Sequence, residues 1–260
     1  MPDVDGAAER AIAWDQVARL YDTYVTATFD LPFFLREVAG AEDVLELMCG
    51  TGRVSLPLAE AGVHLTCVDA APEMLAVLRE KLARVPVARD NVRVVQMDVR
   101  QLALNQRFDL VLVPFQSFVE LVSPDDQREA LARIYQHVCD GGRFICTLHN
   151  PPVRRQRADG QFRLLSRFPQ PEGTLLLWGL ATYDTVTHLV EGMQFYEEYD
   201  AMGTLRRKSM LDVRFALIER EQFEALATGA GFRVAALYGD YDYAPFEDET
   251  SPFMIWVLEK

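Results

Sequence analysis

No apolar run in this 260-residue chain approaches the roughly 20 residues that a membrane-crossing helix needs. The first ten residues, MPDVDGAAER, lack the basic start and apolar core of a secretory signal, so a cytoplasmic location is expected. Basic residues are also scarce. Lys and Arg number 26 against 39 Asp and Glu, for a formal net charge of −13. Nucleic-acid binding relies on a basic patch that replaces phosphate counterions. The basic clusters here are short, at 154–157 and 206–208, and read as solvated faces. Neither nucleic acid nor membrane is expected as a partner. Cysteine is limited to Cys49, Cys67, Cys139 and Cys146, with no Cys-x-x-Cys pair and no His at metal-ligand spacing. A disulfide framework and a metal site are therefore not expected. Cys67 and Cys146 lie in apolar runs, where a thiol acts as a small hydrophobe. Internal repeats and low-complexity segments are absent.

What is present is an alternation of helix-like and strand-like segments over the first 150 residues. Helices are expected at Trp14–Leu20 and Leu31–Val38, then strands at Asp43–Met48, His64–Asp69, Val92–Met97, Phe108–Val113 and Arg143–Leu148. Helices read as Arg53–Ala61, Pro72–Leu82 and Pro124–Val138 separate them. The strands are continuous apolar runs, as expected where helices cover both sheet faces. After Asn150 the pattern changes. PPVRRQRADG reads as a loop, and Thr174–Ala216 as three antiparallel strands. A helix at Glu219–Thr228 returns the chain to the sheet. Strands Arg233–Tyr238 and Phe253–Leu258 are joined by too few residues for a parallel crossover and should pair antiparallel.

The stretch VLELMCGTGR, Val44 to Arg53, ends the first strand with Glu46 and a Gly50-x-Gly52 loop. In doubly wound sheets, ligands bind beyond the carboxyl ends of the strands, and glycine lets a ligand approach backbone closely. The second strand ends in Asp69, about 20 residues on, where a ribose-binding acid is expected. The third ends in Met97-Asp98, an acid and a soft apolar side chain suited to an adenine ring. Each acid alone could be a helix cap or a solvated loop residue. Three at successive strand ends beside a glycine loop form a pattern.

These motifs resemble those of class I S-adenosylmethionine-dependent methyltransferases acting on small molecules. VLELMCGTGR is similar to the family's glycine-rich first motif, LTCVDAAPEML to its second and VQMDVRQL to its third. FDLVLVPFQSFVEL is similar to its fourth strand and loop, DGGRFICTLHNP to its fifth, and residues from Ala230 onward to its closing antiparallel pair. The resemblance implies a Rossmann-like methyltransferase fold: a doubly wound, seven-stranded, mostly parallel sheet with an antiparallel last strand, plus a small antiparallel β insertion. It implies a core at 41–150 and 217–260, an N-terminal helical lid at 1–40, and an insertion at 151–216 over the active site. It implies S-adenosyl-L-methionine as cofactor. Transfer of its methyl group to N or O of a small acceptor by in-line displacement is then expected, giving S-adenosylhomocysteine. Cofactor-binding residues are expected at Tyr21, Tyr24, Glu46, Met48, Cys49, Gly50, Gly52, Arg53, Asp69, Ala70, Met74, Met97, Asp98, Val99, Pro114, Phe115 and Gln116. Met48 stands where the family commonly has the loop's first glycine.

His149, at the end of the fifth strand, is the candidate general base; a structural histidine is the competing reading. Asn150-Pro151-Pro152 is similar to a motif of base-modifying amino-methyltransferases, but it follows the wrong strand and lacks the aromatic fourth residue. An NAD(P)-dependent oxidoreductase would need a third glycine, where Ser55 stands. A non-catalytic cofactor-binding regulator stays open at this point, as does the choice between monomer and homodimer.

Overall fold

The computed structural model describes residues 12–86 and 88–260. After a 3₁₀ turn at Trp14–Gln16, helices α1 (Ala18–Tyr24) and α2 (Leu31–Glu37) precede the sheet. The core then runs β1 (Asp43–Leu47), α3 (Ser55–Glu60), β2 (His64–Asp69), α4 (Pro72–Leu82), α5 (Ala88–Asn91), β3 (Val92–Gln96) and β4 (Phe108–Val113). α6 (Pro124–His137), β5 (Val138–His149) and α7 (Pro151–Arg155) follow. An antiparallel block of β6 (Arg163–Gln170), β7 (Gly173–Asp184), β8 (Leu189–Asp200) and β9 (Leu205–Ala216) comes next. The chain closes with α8 (Arg220–Gly229), β10 (Arg233–Tyr238) and β11 (Phe253–Glu259). No helix among the described residues is long and apolar enough to cross a membrane.

The main sheet has the order β10-β11-β5-β4-β1-β2-β3, with β1 to β5 parallel and β11 antiparallel to both β5 and β10. The chain moves outward from β1 to β2 and β3, then crosses back to place β4 on the other side of β1. The carboxyl ends of β1 and β4 therefore flank the switch point where doubly wound sheets bind ligands. Val44, Leu45, Leu47, Leu110, Val111 and Leu112 are buried, as two-sided helical cover requires. The second sheet has the order β6-β7-β8-β9. One of its faces packs Leu175, Leu177, Tyr196, Leu211 and Val213 against Val17 and Leu20 around α1, so the N-terminal helix is clamped to this sheet.

Several local expectations are corrected. The second sheet has four strands, not three. β6 lies on the edge, and most of its side chains are exposed or half-exposed, so the apolar alternation that reveals a strand is missing. The PPVRR segment is a helical turn rather than loop: Pro151 and Pro152 occupy first-turn positions where proline is tolerated, and the Arg154 N–H donates to the Asn150 carbonyl at 2.9 Å. The first helix begins at Ala18, because Trp14–Gln16 forms a separate 3₁₀ turn. α3 begins at Ser55, since the loop glycines hold the chain out of helix until then.

Candidate active site

The loop after β1 alternates left-handed residues: Met48 at φ 55°, Gly50 at 56° and Gly52 at 85°. Each glycine serves a different need. A Cβ on Gly50 would meet nothing within 4 Å, so the bare backbone opens onto space. A Cβ on Gly52 would run into the side chain of Leu78 on α4, and its φ of 85° also favours glycine, so the close approach of that helix is eased by its absence. Met48 takes the left-handed conformation without glycine's freedom, at a cost of about 1–2 kcal/mol. The missing glycine thus leaves the backbone in the shape a glycine would adopt.

Asp69 ties this loop to the end of β2. Its Oδ2 accepts the Gly50 N–H at 2.7 Å and its Oδ1 accepts the Ala71 N–H at 2.8 Å. Burial raises its pKa, while these two N–H bonds oppose the rise. Glu46 is buried behind the loop and accepts a hydrogen bond from Ser55 Oγ at 2.6 Å. Burial pushes its pKa up to about 8, against the opposing pull of Ser55 and Arg53. Cys49 is buried, and burial pushes its thiol pKa well up, the reverse of what a nucleophilic thiolate requires.

A cavity of about 150 Å³ opens beside the loop. Of the expected cofactor residues, Tyr21, Met48, Gly50, Asp69, Ala70, Met74, Met97, Asp98 and Val99 line it. Asp98 caps the turn after β3 and is gripped by Arg100, with Nη2 to Oδ2 at 2.6 Å, which holds its pKa below the ordinary carboxylate value. Arg100 also reaches Asp126 at 3.1 Å.

A second cavity of about 730 Å³ is lined by Tyr21, Tyr24, Phe115, Gln116 and His149, together with residues of all four insertion strands. Phe115 and Gln116 are left-handed at φ 56° and 60°, a sharp turn at the end of β4. The Gln116 N–H donates to Thr147 Oγ1 at 3.1 Å, which fixes this turn to β5. The two cavities share Ile12, Trp14, Tyr21, Ser117 and Glu120 as lining. Trp14 stacks edge-on against Tyr21 with centroids 5.7 Å apart, and Tyr21 meets Tyr24 at 5.4 Å.

Glu46, Cys49, Gly52, Arg53 and Pro114 line neither cavity. They shape or brace the loops instead. Arg53, expected as a possible partner for a cofactor carboxylate, is forked onto the fully buried Asp30 through two bonds of 2.6 Å, and its guanidinium lies 4.2 Å from the Phe115 ring centroid. His149 does reach the larger cavity, but burial, then the charges of Arg154 and Arg157, push its pKa down to about 3. An imidazole held there is a weak proton acceptor. Asn150 is structural: its buried side-chain amide donates to the carbonyls of Asp248 and Ser251, both at 2.8 Å, pinning the β10–β11 loop.

Sequence reasoning missed Trp14, Ser117 and Glu120. Glu120 lies on a one-turn 3₁₀ helix after β4, Ser117–Glu120, and accepts from Trp14 Nε1 at 2.9 Å. Burial, with a smaller contribution from the Asp69 charge, pushes its pKa up to about 7 against the Trp14 bond. An acid four residues past a strand-end turn carries no spacing signal of its own. Only the fold brings Trp14 to it.

Residues 44–142 match the family model of a methyltransferase domain. The chain is 32% identical to a glycine/sarcosine N-methyltransferase of Aphanothece halophytica, covering 99% of this chain and 89% of the relative. It is 37% identical to a cypemycin N-terminal methyltransferase of a Streptomyces species, covering 84% and 82%. The solved structure of the CcbJ methyltransferase from Streptomyces caelestis superposes with a TM-score of 0.82 at 24% identity, over 96% of this chain and 98% of that one. The fold and the strand-end site define a methyltransferase of the doubly wound type. The chain belongs to the class I S-adenosylmethionine-dependent methyltransferases, and S-adenosylmethionine is its methyl donor. The smaller cavity fits that group: an apolar slot of Val68, Met74, Met97 and Val99, carboxylates at two strand ends, and open space over Gly50.

Proposed function

We propose that this enzyme methylates an amine nitrogen of a small molecule, with the donor in the smaller cavity and the acceptor in the larger. The observation that carries this reading is the wall the two cavities share, where Glu120 stands beside Trp14 and Tyr21. Bound S-adenosylmethionine supplies a methyl group already activated on a sulfonium. The protein's task is then alignment for in-line displacement and exclusion of water.

In this reading Asp69 accepts from the ribose hydroxyls. Met97, Asp98 and Val99 flank the adenine, and Gly50 lets the donor lie against backbone. Tyr21, with Trp14, separates donor from acceptor. An amine must be neutral to attack, so a nearby group has to take its proton. Glu120 suits this role better than His149, because a carboxyl near pKa 7 exchanges protons at working pH, whereas an imidazole near 3 holds none. Relatives named as glycine/sarcosine N-methyltransferases support nitrogen over oxygen. Residues 1–11 of the expected lid lie outside the described residues; we assign 12–40 to a lid, 41–150 and 217–260 to the donor-binding core, and 151–216 to an acceptor cover. The sheet residues around the larger cavity support that division.

The test is transfer of a labelled methyl group from S-adenosylmethionine to a panel of primary and secondary amines and matched alcohols. N-methylated product with S-adenosylhomocysteine supports the reading. Label found on oxygen or carbon alone overturns it.

A further inference from the structure

Four of the five arginines between β5 and β7 lie within ten residues of one another, Arg154, Arg155, Arg157 and Arg163, and they divide into two kinds. Arg155 reaches Glu219 at 3.0 Å, and Arg163 reaches Asp159 at 2.8 Å and Gln161 at 2.9 Å. Arg154 and Arg157 have no carboxylate partner and no side-chain hydrogen bond among the described residues. Both line the larger cavity. Arg157 is exposed and Arg154 half-buried.

An unpaired arginine on open surface is ordinary. Arg154 is different. It sits on a helical turn fixed at its start by the Asn150 anchor, with its guanidinium carbon 4.8 Å from the Phe215 ring centroid. Phe215 also packs against His149, with ring centroids 5.5 Å apart. Burial and the neighbouring Arg157 charge already pull the Arg154 pKa down. Burial, and after it the same two arginines, lower the His149 pKa as well. Among the described residues no carboxylate pairs with either arginine at this end of the cavity, in a chain whose net charge is −13. Keeping charge desolvated without a counter-charge is costly unless a ligand supplies one.

We infer that Arg154 and Arg157 form an oxyanion subsite, and that the acceptor carries a carboxylate or phosphate in addition to the nitrogen to be methylated. This rests on the larger cavity being the acceptor site. The planar guanidinium of Arg154, positioned on Phe215, offers the forked donors that match either oxyanion. Glu120 and the arginine pair then give the cavity opposite polarities, acid where the amine is methylated and base where the anion is held. A molecule with both charges is oriented by the cavity before the reaction begins.

The experiment is isothermal titration of the enzyme saturated with S-adenosylhomocysteine. The probes are a series of amino carboxylates, the same molecules as primary amides, and aminoalkyl phosphates. Wild type is compared with Arg154→Gln, Arg157→Gln and Arg154→Lys, with S-adenosylmethionine affinity and melting temperature measured alongside. The expected result is that the carboxylates or the phosphates bind at least about tenfold tighter than the amides, as charge-assisted hydrogen bonds warrant. The glutamine variants should lose that preference, and Arg154→Lys should keep part of it, with cofactor affinity unchanged. Whichever oxyanion binds tighter identifies the group. Equal binding of acid and amide, a preference indifferent to both arginines, or no oxyanion binding at millimolar concentration overturns the inference. Because binding is read without turnover, a failure here is distinguishable from a failure of amine methylation.

Discussion

Trp14 donates its indole N–H to Glu120 Oε2 at 2.9 Å, joining the segment before α1 to the turn after β4 across the boundary of the two cavities. The bond favours the charged carboxylate, whereas burial favours the neutral acid, and burial wins to leave a pKa near 7. Two consequences follow for the reaction. If Glu120 takes the amine's proton, kcat/KM rises with pH through about 7 as the carboxylate forms. Glu120→Gln should lower kcat by about 100-fold or more, as loss of a general base does, and should remove that limb. Trp14→Phe removes a donor to the anion, so the limb should move to higher pH. Identical pH profiles for wild type and Glu120→Gln would leave Glu120 without a proton-transfer role.

Asp69 accepts two backbone N–H groups while lining the smaller cavity, so the residue that closes the loop is also part of the cavity wall. Asp69→Ala should weaken S-adenosylmethionine binding by about 100-fold, the scale of losing hydrogen bonds to a charged group. Equilibrium dialysis measures it, with circular dichroism to show that the variant is folded. Binding within a factor of two of wild type would show that the ribose lies elsewhere.

The sheet was legible in the sequence because burial on both faces writes continuous apolar runs, and because Asp69 and Asp98 mark successive strand ends. The nine expected residues that line the smaller cavity all lie within one loop or turn of a strand end or on the helices packed beside it. Two kinds of feature were not legible. β6 left no alternation because it lies on an edge and faces solvent. Glu120 and the Arg53–Asp30 fork depend on which distant segment packs against them: Trp14 is 106 residues from Glu120, and Asp30 is 23 from Arg53. No periodicity or local spacing encodes such pairings. His149 was placed at the right strand end, but the burial that chiefly lowers its pKa comes only with the packed fold, and the arginines that add to it sit on a helical turn that read as loop.

Glu46 gives a stability prediction. Its folded pKa of about 8 lies above the ordinary 4.5, so between those values the folded chain holds a proton that the unfolded chain has released. Stability from this group is complete below about 4.5 and is lost as pH rises through about 8. Glu46→Gln keeps an oxygen for the Ser55 hydroxyl and cannot ionise. Relative to wild type, the variant should therefore gain stability from pH 5 to pH 9, by an amount on the order of a few kcal/mol. Urea denaturation at several pH values reads the difference. Parallel curves would mean that Glu46 ionises at its ordinary pKa in the folded protein.

Met48 separates backbone strain from side-chain packing. Its φ of 55° is left-handed, and its side chain packs against the main core while lining the smaller cavity. Truncation to Ala removes the packing and keeps the strain. Truncation to Gly removes the packing and relieves the strain. Met48→Gly should therefore be more stable than Met48→Ala by about 1 kcal/mol, although glycine is usually the worse replacement, because a left-handed alanine carries the Cβ penalty that glycine escapes. Paired denaturant midpoints measure the order. If Met48→Ala proves the more stable, then the loop does not hold a left-handed residue at this position in solution.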